Sequence, residues 1–288
     1  VENENGEILT LSGREDYYQI VSIGGLNPPN GNIHRAEVSG MDGSKYMSSK
    51  LEERNIVITL KINGNVERNR QRLYEWFKSK RYVKIYYSNE SRKVSIEGWM
   101  ETVECDLFRL GETMQISIIC PDPYFQSLNE IITDISKVQG QFVFPFAFGA
   151  DGVLSPTITD DAIEFSDYVV DRIVDVYNEG EYDTGVIITI KATGEVVNPV
   201  IYNAVTHEEF RIKASMVRND ILIINTNKGS KSVTLVHDSI VMNQINKITR
   251  GSSWFNLSKG DNMFTYEADT GAESMQITFS HRTRYQAV

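Results

Sequence analysis

From Asn55 to Ile62 the side chains alternate, with Ile56, Ile58, Leu60 and Ile62 on one side and Asn55, Thr59 and Lys61 mostly on the other. Successive side chains leave opposite faces of a pleated backbone, so a period of two predicts a strand with one buried face. Residues 82–87, 93–104 and 112–120 read the same way, the last with Met114, Ile116 and Ile118 set against Gln115 and Ser117. Further strands are predicted near 162–177, 185–192, 200–203, 208–213, 220–225, 231–236, 263–267 and 273–280. Many short strands separated by turn formers predict a sandwich. Between residues 8 and 38 apolar pairs are broken by Gly24-Gly25, Pro28-Pro29 and Asn30-Gly31, which predicts short strands and loops. No fixed-period repeat is visible, which removes support from solenoids and propellers.

One stretch has a different period. After the turn Asn63-Gly64-Asn65, a candidate N-cap, Val66, Leu73, Trp76 and Phe77 recur at helical spacing and Lys78, Lys80 and Arg81 follow. This predicts a single amphipathic helix over residues 66–80, covering a sheet or sandwich. Pro121 and Pro123 have no amide donor, so the run CPDPYF (residues 120–125) is expected to leave the sheet abruptly. A domain boundary is placed just beyond it, giving units 1–135 and 136–288. Two units also suit a chain of 288 residues with 41% hydrophobic types. An aromatic run, FVFPFAF (residues 142–148), is expected to be extended.

The net charge of −10 is spread along the chain and repels a polyphosphate backbone, so specific nucleic-acid binding is not expected. Cys105 and Cys120 are the only cysteines, too few for a disulfide framework or a cysteine zinc site. Neither a signal peptide nor a run of about 18 apolar residues is visible, so no membrane association is expected.

Few residues are arranged for chemistry. His34, His207, His237 and His281 have no i, i+4 partner and no neighbouring cysteine, and are read as solvated or simply hydrogen-bonded. Strand alternation would put Glu101 and Glu104 on opposite faces, a poor arrangement for a glycosidase pair. Asp160, Asp161, Asp167, Asp171 and Asp175 lack the loop spacing of a calcium site and read as a solvated or subunit-facing surface. Nucleotide-binding and serine-hydrolase motifs are missing. No catalytic residue, metal or cofactor is therefore assigned, and the chain is not expected to be an enzyme.

Arg68, Arg70, Arg72, Lys78, Lys80 and Arg81 form a basic stretch interleaved with Tyr74, Trp76 and Tyr82. Taken alone it looks like a nucleic-acid patch. In an acidic protein it better suits an acidic neighbouring subunit, and these six residues are the candidate subunit interface. The loop over residues 39–49 (SGMDGSKYMSS) is read either as a segment ordered by a neighbour or as a plain hairpin loop.

Several stretches in order resemble the distal tail (Dit) proteins of siphophages: the helix and strands leading into CPDPYF, then NEGEYDTGVIITIKATG (178–194), VNPVIYN (197–203), DILIINTNKGSKSV (220–233) and GSSWFNLSKGDNMFTYEADTG (251–271). In physical terms Gly260-Asp261-Asn262 is a tight turn, Gly194 and Gly229 are candidates for positive φ, and Trp254 and Phe255 are candidate buried anchors.

The resemblance implies a mainly β fold with one helix: a tail-tube-like β-sandwich domain followed by a galectin-like β-sandwich. It also implies a homo-oligomeric ring, a hexamer, in the virion tail. The implied partners are the tail-tube protein, the tail-tip or tail-associated lysin protein, and the tape-measure protein. No stretch is long enough for an inserted sugar-binding domain. The competing reading is a carbohydrate-binding module with Trp254 as its sugar platform, although Phe255 and Leu257 beside it suggest burial.

Overall fold

The computed structural model describes residues 1–11, 17–40, 42–107, 111–135, 147–148, 154–155 and 173–288. In chain order the first half forms β1 (Glu2–Asn3), β2 (Tyr18–Gly24), β3 (Gly31–Glu37), β4 (Ser44–Leu51), β5 (Arg54–Ile62), α1 (Val66–Trp76), β6 (Tyr82–Ser88), β7 (Lys93–Cys105), β8 (Thr113–Cys120), β9 (Phe125–Ser127) and β10 (Ile131–Ile135). The second half forms β11 (Ile173–Asp175), β12 (Ile187–Ala192), β13 (Val200–Asn203), β14 (Glu209–Arg211), β15 (Ile221–Asn225), β16 (Ser232–His237), β17 (Ile240–Asn243), β18 (Met263–Glu267), β19 (Met275–His281) and β20 (Arg284–Tyr285). The fold is mainly β with one helix among the described residues, as the periodicity predicts.

The first unit is an eight-stranded sheet, ordered β1-β6-β7-β8-β5-β2, with β9 beside β7 and β20 beside β9. The alternation of β5 places Ile56, Ile58, Leu60 and Ile62 in its core, where Met114, Ile116 and Ile118 of β8 and Leu73 and Phe77 from the helix segment meet them. Asn65 caps α1, its side chain accepting from the Arg68 amide at 3.2 Å. The helix is shorter than predicted, closing where the Phe77 amide bonds Leu73 O at 2.8 Å. Lys80 has φ +67°, and Lys80 and Arg81 hydrogen-bond with Met100 of β7, so the chain has already turned toward β6. Burial of Phe77 and pairing with β7 outweigh the continued helical spacing.

Two further expectations change here. After Cys120 the chain does not leave the sheet for good: residues 121–124 loop out, and β9 resumes the ladder on the same strand, Ser127 opposite Val94 of β7. The prolines interrupt the ladder for four residues without ending it. At Glu101 a bulge in β7 resets the alternation, and the Glu101 carboxylate accepts from Ser117 Oγ at 2.8 Å. Simple parity, which put Glu101 and Glu104 on opposite faces, therefore fails at that point.

The second unit packs a six-stranded sheet, β10-β19-β12-β15-β16-β17, on a four-stranded sheet, β11-β18-β13-β14. Their inner faces share one core that includes Ile188, Ile190, Leu222, Phe210, Phe255, Phe264 and Phe279. This is a sandwich, with each strand contributing alternate side chains. Gly229 has φ +86° as expected, but Gly194 is not among the positive-φ glycines; a Cβ there would lie 2.8 Å from Ser274 Oγ, so that hydroxyl would have to turn away. Most of the FVFPFAF run, together with Asp160, Asp161, Asp167 and Asp171, lies outside the described residues.

Candidate assembly surfaces

Among the described residues strands β3 and β4 pair only with each other, and none of their side chains belongs to either core. The stretch 44–49, read from sequence as loop, is strand. Ile33, Tyr46 and Met47 are 62%, 61% and 62% exposed on this hairpin. A lone two-stranded hairpin is marginal in water, and each large apolar side chain gains on the order of 1.5–3 kcal/mol when fully buried. Both facts favour a surface that meets another molecule.

The six basic residues separate in space. Arg70 is half-buried and pairs with Glu112 at 2.9 Å and with Glu67, while Arg81 pairs with Glu4 at 2.8 Å. Arg68, Arg72, Lys78 and Lys80 are exposed and make no ion pair with a described residue. Arg68 and Arg72, four residues apart, share one side of α1, and Lys78 and Lys80 follow its end.

At the base of the hairpin lies an arginine that the sequence reading passed over. Arg54 shares the parity of Ile56 to Ile62 and is therefore turned inward, 2% exposed. Burial of a guanidinium is costly unless its donors are met. Here Nε donates to Pro123 O at 2.8 Å, Nη1 to Asn27 O at 2.6 Å and to Gly25 O, and Nη2 to Gln286 O at 2.6 Å. The group also stacks 4.5 Å from the Phe125 ring centre, and burial pulls its pKa below the usual arginine range. Gly25, with φ +83°, is needed for this path because a Cβ would lie 2.1 Å from Asn55 O.

The C-terminal segment runs back from the second unit across the first. Thr283 O accepts from the Ser127 amide at 3.0 Å, and β20 pairs with β9. Arg284 pairs with Asp122 and stacks 4.4 Å over Tyr124, which packs against Tyr182. Arg92 donates to Ala287 O at 2.7 Å, pairs with Glu181 at 2.7 Å and lies 4.4 Å over Tyr285. The Tyr182 hydroxyl bonds the Gln286 side chain, so both units grip the same few residues.

Between the units opens a cleft of about 1020 Å³, lined by residues that include Lys84, Glu97, Trp99, Thr226, Lys228 and Arg282. No group of three or more His, Cys, Asp or Glu is placed to hold a metal among the described residues. No helix among them is long and apolar enough to cross a membrane.

The histidines are scattered. His34 and His207 are exposed, and His237 Nδ1 lies 2.7 Å from Asp220 Oδ1, which raises its pKa above the ordinary value. His281 departs from the expected solvated or bonded state: it is 2% exposed, with both ring nitrogens unpartnered among the described residues. Its parity with Met275, Ile277 and Phe279 carries it inward, and burial pushes its pKa down.

Trp254 is half-buried. Phe210 meets it edge-on at 5.0 Å and Lys231 Nζ lies 5.4 Å from its ring centre. Phe255 beside it is fully buried.

Residues 15–106 match the phage tail protein RIFT-related domain family, and residues 179–285 match the siphovirus-type tail component, C-terminal domain. No characterised protein sequence matches the chain. Among solved structures it is similar to the Dit protein (gp 19.1) of phage SPP1, described as a paradigm of the hub adsorption apparatus in phages infecting Gram-positive bacteria. That likeness has a TM-score of 0.67 at 12% identity, over 93% of this chain and 93% of that one. It is also similar to chains of the phage P2 baseplate in its activated conformation, with calcium (TM-score 0.55) and with strontium (TM-score 0.57), each at 12% identity over 99% of this chain and 96% of that one. At such identity the structures speak for the fold, while the two family matches fall on the two halves in the order the sequence motifs run. The chain belongs to the siphovirus-type tail components and is a distal tail protein, a structural part of the phage tail.

Proposed function

We propose that this protein is the hub subunit at the end of the tail, where copies close head to tail into a ring of six that joins the tail tube to the tip or baseplate. In that reading the first unit builds the ring and the second faces outward, with β10 already part of the second unit's sheet and β20 returning to the first. The bore passes DNA and the tape-measure protein, and the tail-tube and tail-lysin proteins meet the two ring faces. The observation that carries the reading is the β3–β4 hairpin, which pairs with no other described strand and exposes Ile33, Tyr46 and Met47. Cyclic assembly needs two different patches per copy. The hairpin is one, and the free cations Arg68, Arg72, Lys78 and Lys80, in a chain of net charge −10, suit an acidic neighbour. Nothing in this reading requires catalysis. Trp254, covered by Phe210 and Lys231, serves as a wall of the second core.

Sedimentation and particle imaging of the full chain test the proposal. Rings are expected, and Ile33→Ser with Tyr46→Ser and Met47→Ser should abolish them while the circular dichroism and thermal transition persist. A chain that stays monomeric at every concentration, alone and with its tail partners, overturns it.

A further inference from the structure

The geometry points to Arg54 as a coupling residue: through it, the seating of the C-terminal segment Gln286–Val288 between the two units also holds the base of the β3–β4 hairpin. One guanidinium donates simultaneously to Gly25 and Asn27, which lead into β3, to Pro123 in the β8–β9 loop, and to Gln286 in the C-terminal segment. A fork of donors fixed in one plane cannot follow one carbonyl without shifting on the others. Gln286 is in turn held by the second unit, its amide by Glu181 and its side chain by Tyr182. The chain of contacts therefore runs from Glu181 and Tyr182, through Gln286 and Arg54, to the root of the arm. A tilt of the second unit that withdraws Gln286 frees one arm of the fork and loosens Gly25 and Asn27, and an arm locked by a neighbour tightens the opposite end.

The consequence is a link between arm docking and the pose of the outward unit. That the arm docks on a neighbour is the reading proposed above. The coupling itself is a property of one chain and is measured without assembly, so failure of either leaves the other standing.

The test uses spin-label distances in the full chain with Cys105→Ser and Cys120→Ala as background. One label pair, at Ser48 and Glu90, reports the arm against the first unit, and a second pair, at Glu90 and Arg218, reports one unit against the other. Ending the chain after Tyr285 removes Gln286 and leaves Arg54 and every hairpin residue in place. Both distance distributions are expected to broaden together, with the thermal transition of each core retained. Broadening of the Glu90–Arg218 distances while Ser48–Glu90 stays narrow overturns the coupling and leaves the segment a simple strap. Arg54→Lys, which keeps the charge but not the fork, is expected to broaden both as well. Should that variant fail to fold, the shortened chain decides the question.

Discussion

Arg54 and Gln286 are 232 positions apart in sequence, yet Nη2 of the first donates to the carbonyl of the second at 2.6 Å. Four carbonyls converge on that buried guanidinium, and removing it strands all four. Arg54→Ala is therefore expected to cost about 3 kcal/mol in urea unfolding, since four charge-assisted hydrogen bonds and the packing of a buried side chain on Phe125 are lost together. A cost below about 1 kcal/mol would mean that water replaces the arginine freely.

Asn262 closes the Gly260-Asp261-Asn262 turn from inside. Its amide nitrogen lies 2.8–3.2 Å from Ser258, Gly260 and Val176 carbonyls, and its oxygen accepts from the Ser258 amide at 2.9 Å. Asn262→Ala should lower stability by about 1–3 kcal/mol. Asn262→Asp should be no better, because it turns an anion toward three carbonyl oxygens. Chemical denaturation of both variants checks the order.

Phe255 and Trp254 are adjacent and should respond differently. Phe255 is fully buried among Phe210 and Phe264, so truncation to Ala should cost about 3–5 kcal/mol. Trp254 has one side in solvent and should cost less when truncated, leaving a folded second unit. Equal losses in thermal unfolding would show that Trp254 anchors the core as firmly as its neighbour.

The two histidines of the second unit should pull stability in opposite directions with pH. Burial depresses the pKa of His281, so the unfolded chain binds a proton first and stability falls as pH drops below the ordinary histidine value of 6.5. Asp220 raises that of His237, whose contribution is complete below 6.5 and fades as pH rises through its higher folded value. His281→Phe should narrow the stability difference between about pH 7 and about pH 5, and His237→Gln should widen it. Urea midpoints at both pH values, with NMR titration of the ring protons, measure the effect.

Periodicity decided much of the architecture before any fold was known. The burial face of β5, the strands β13 and β18 to the residue, and the capped start of α1 follow from side chains acting on their immediate neighbours. Inward parity also marks Arg54 and His281, a signal overlooked because both are polar. The candidate site was less legible. The basic stretch stood out as charge, but its division into paired Arg70 and Arg81 and free Arg68, Arg72, Lys78 and Lys80 depends on where Glu112 and Glu4 come to lie.

The sequence by itself determined which segments extend, which one coils and which side chains face inward, because those outcomes depend on residues two to four positions apart. Only the tertiary structure decided that the chain resumes its ladder after Pro121 and Pro123, that a bulge resets β7 at Glu101, and that Gln286 returns to Arg54. These are pairings across long loops, set by the total burial and hydrogen bonding of the assembled sheets, and no local pattern of residues carries them.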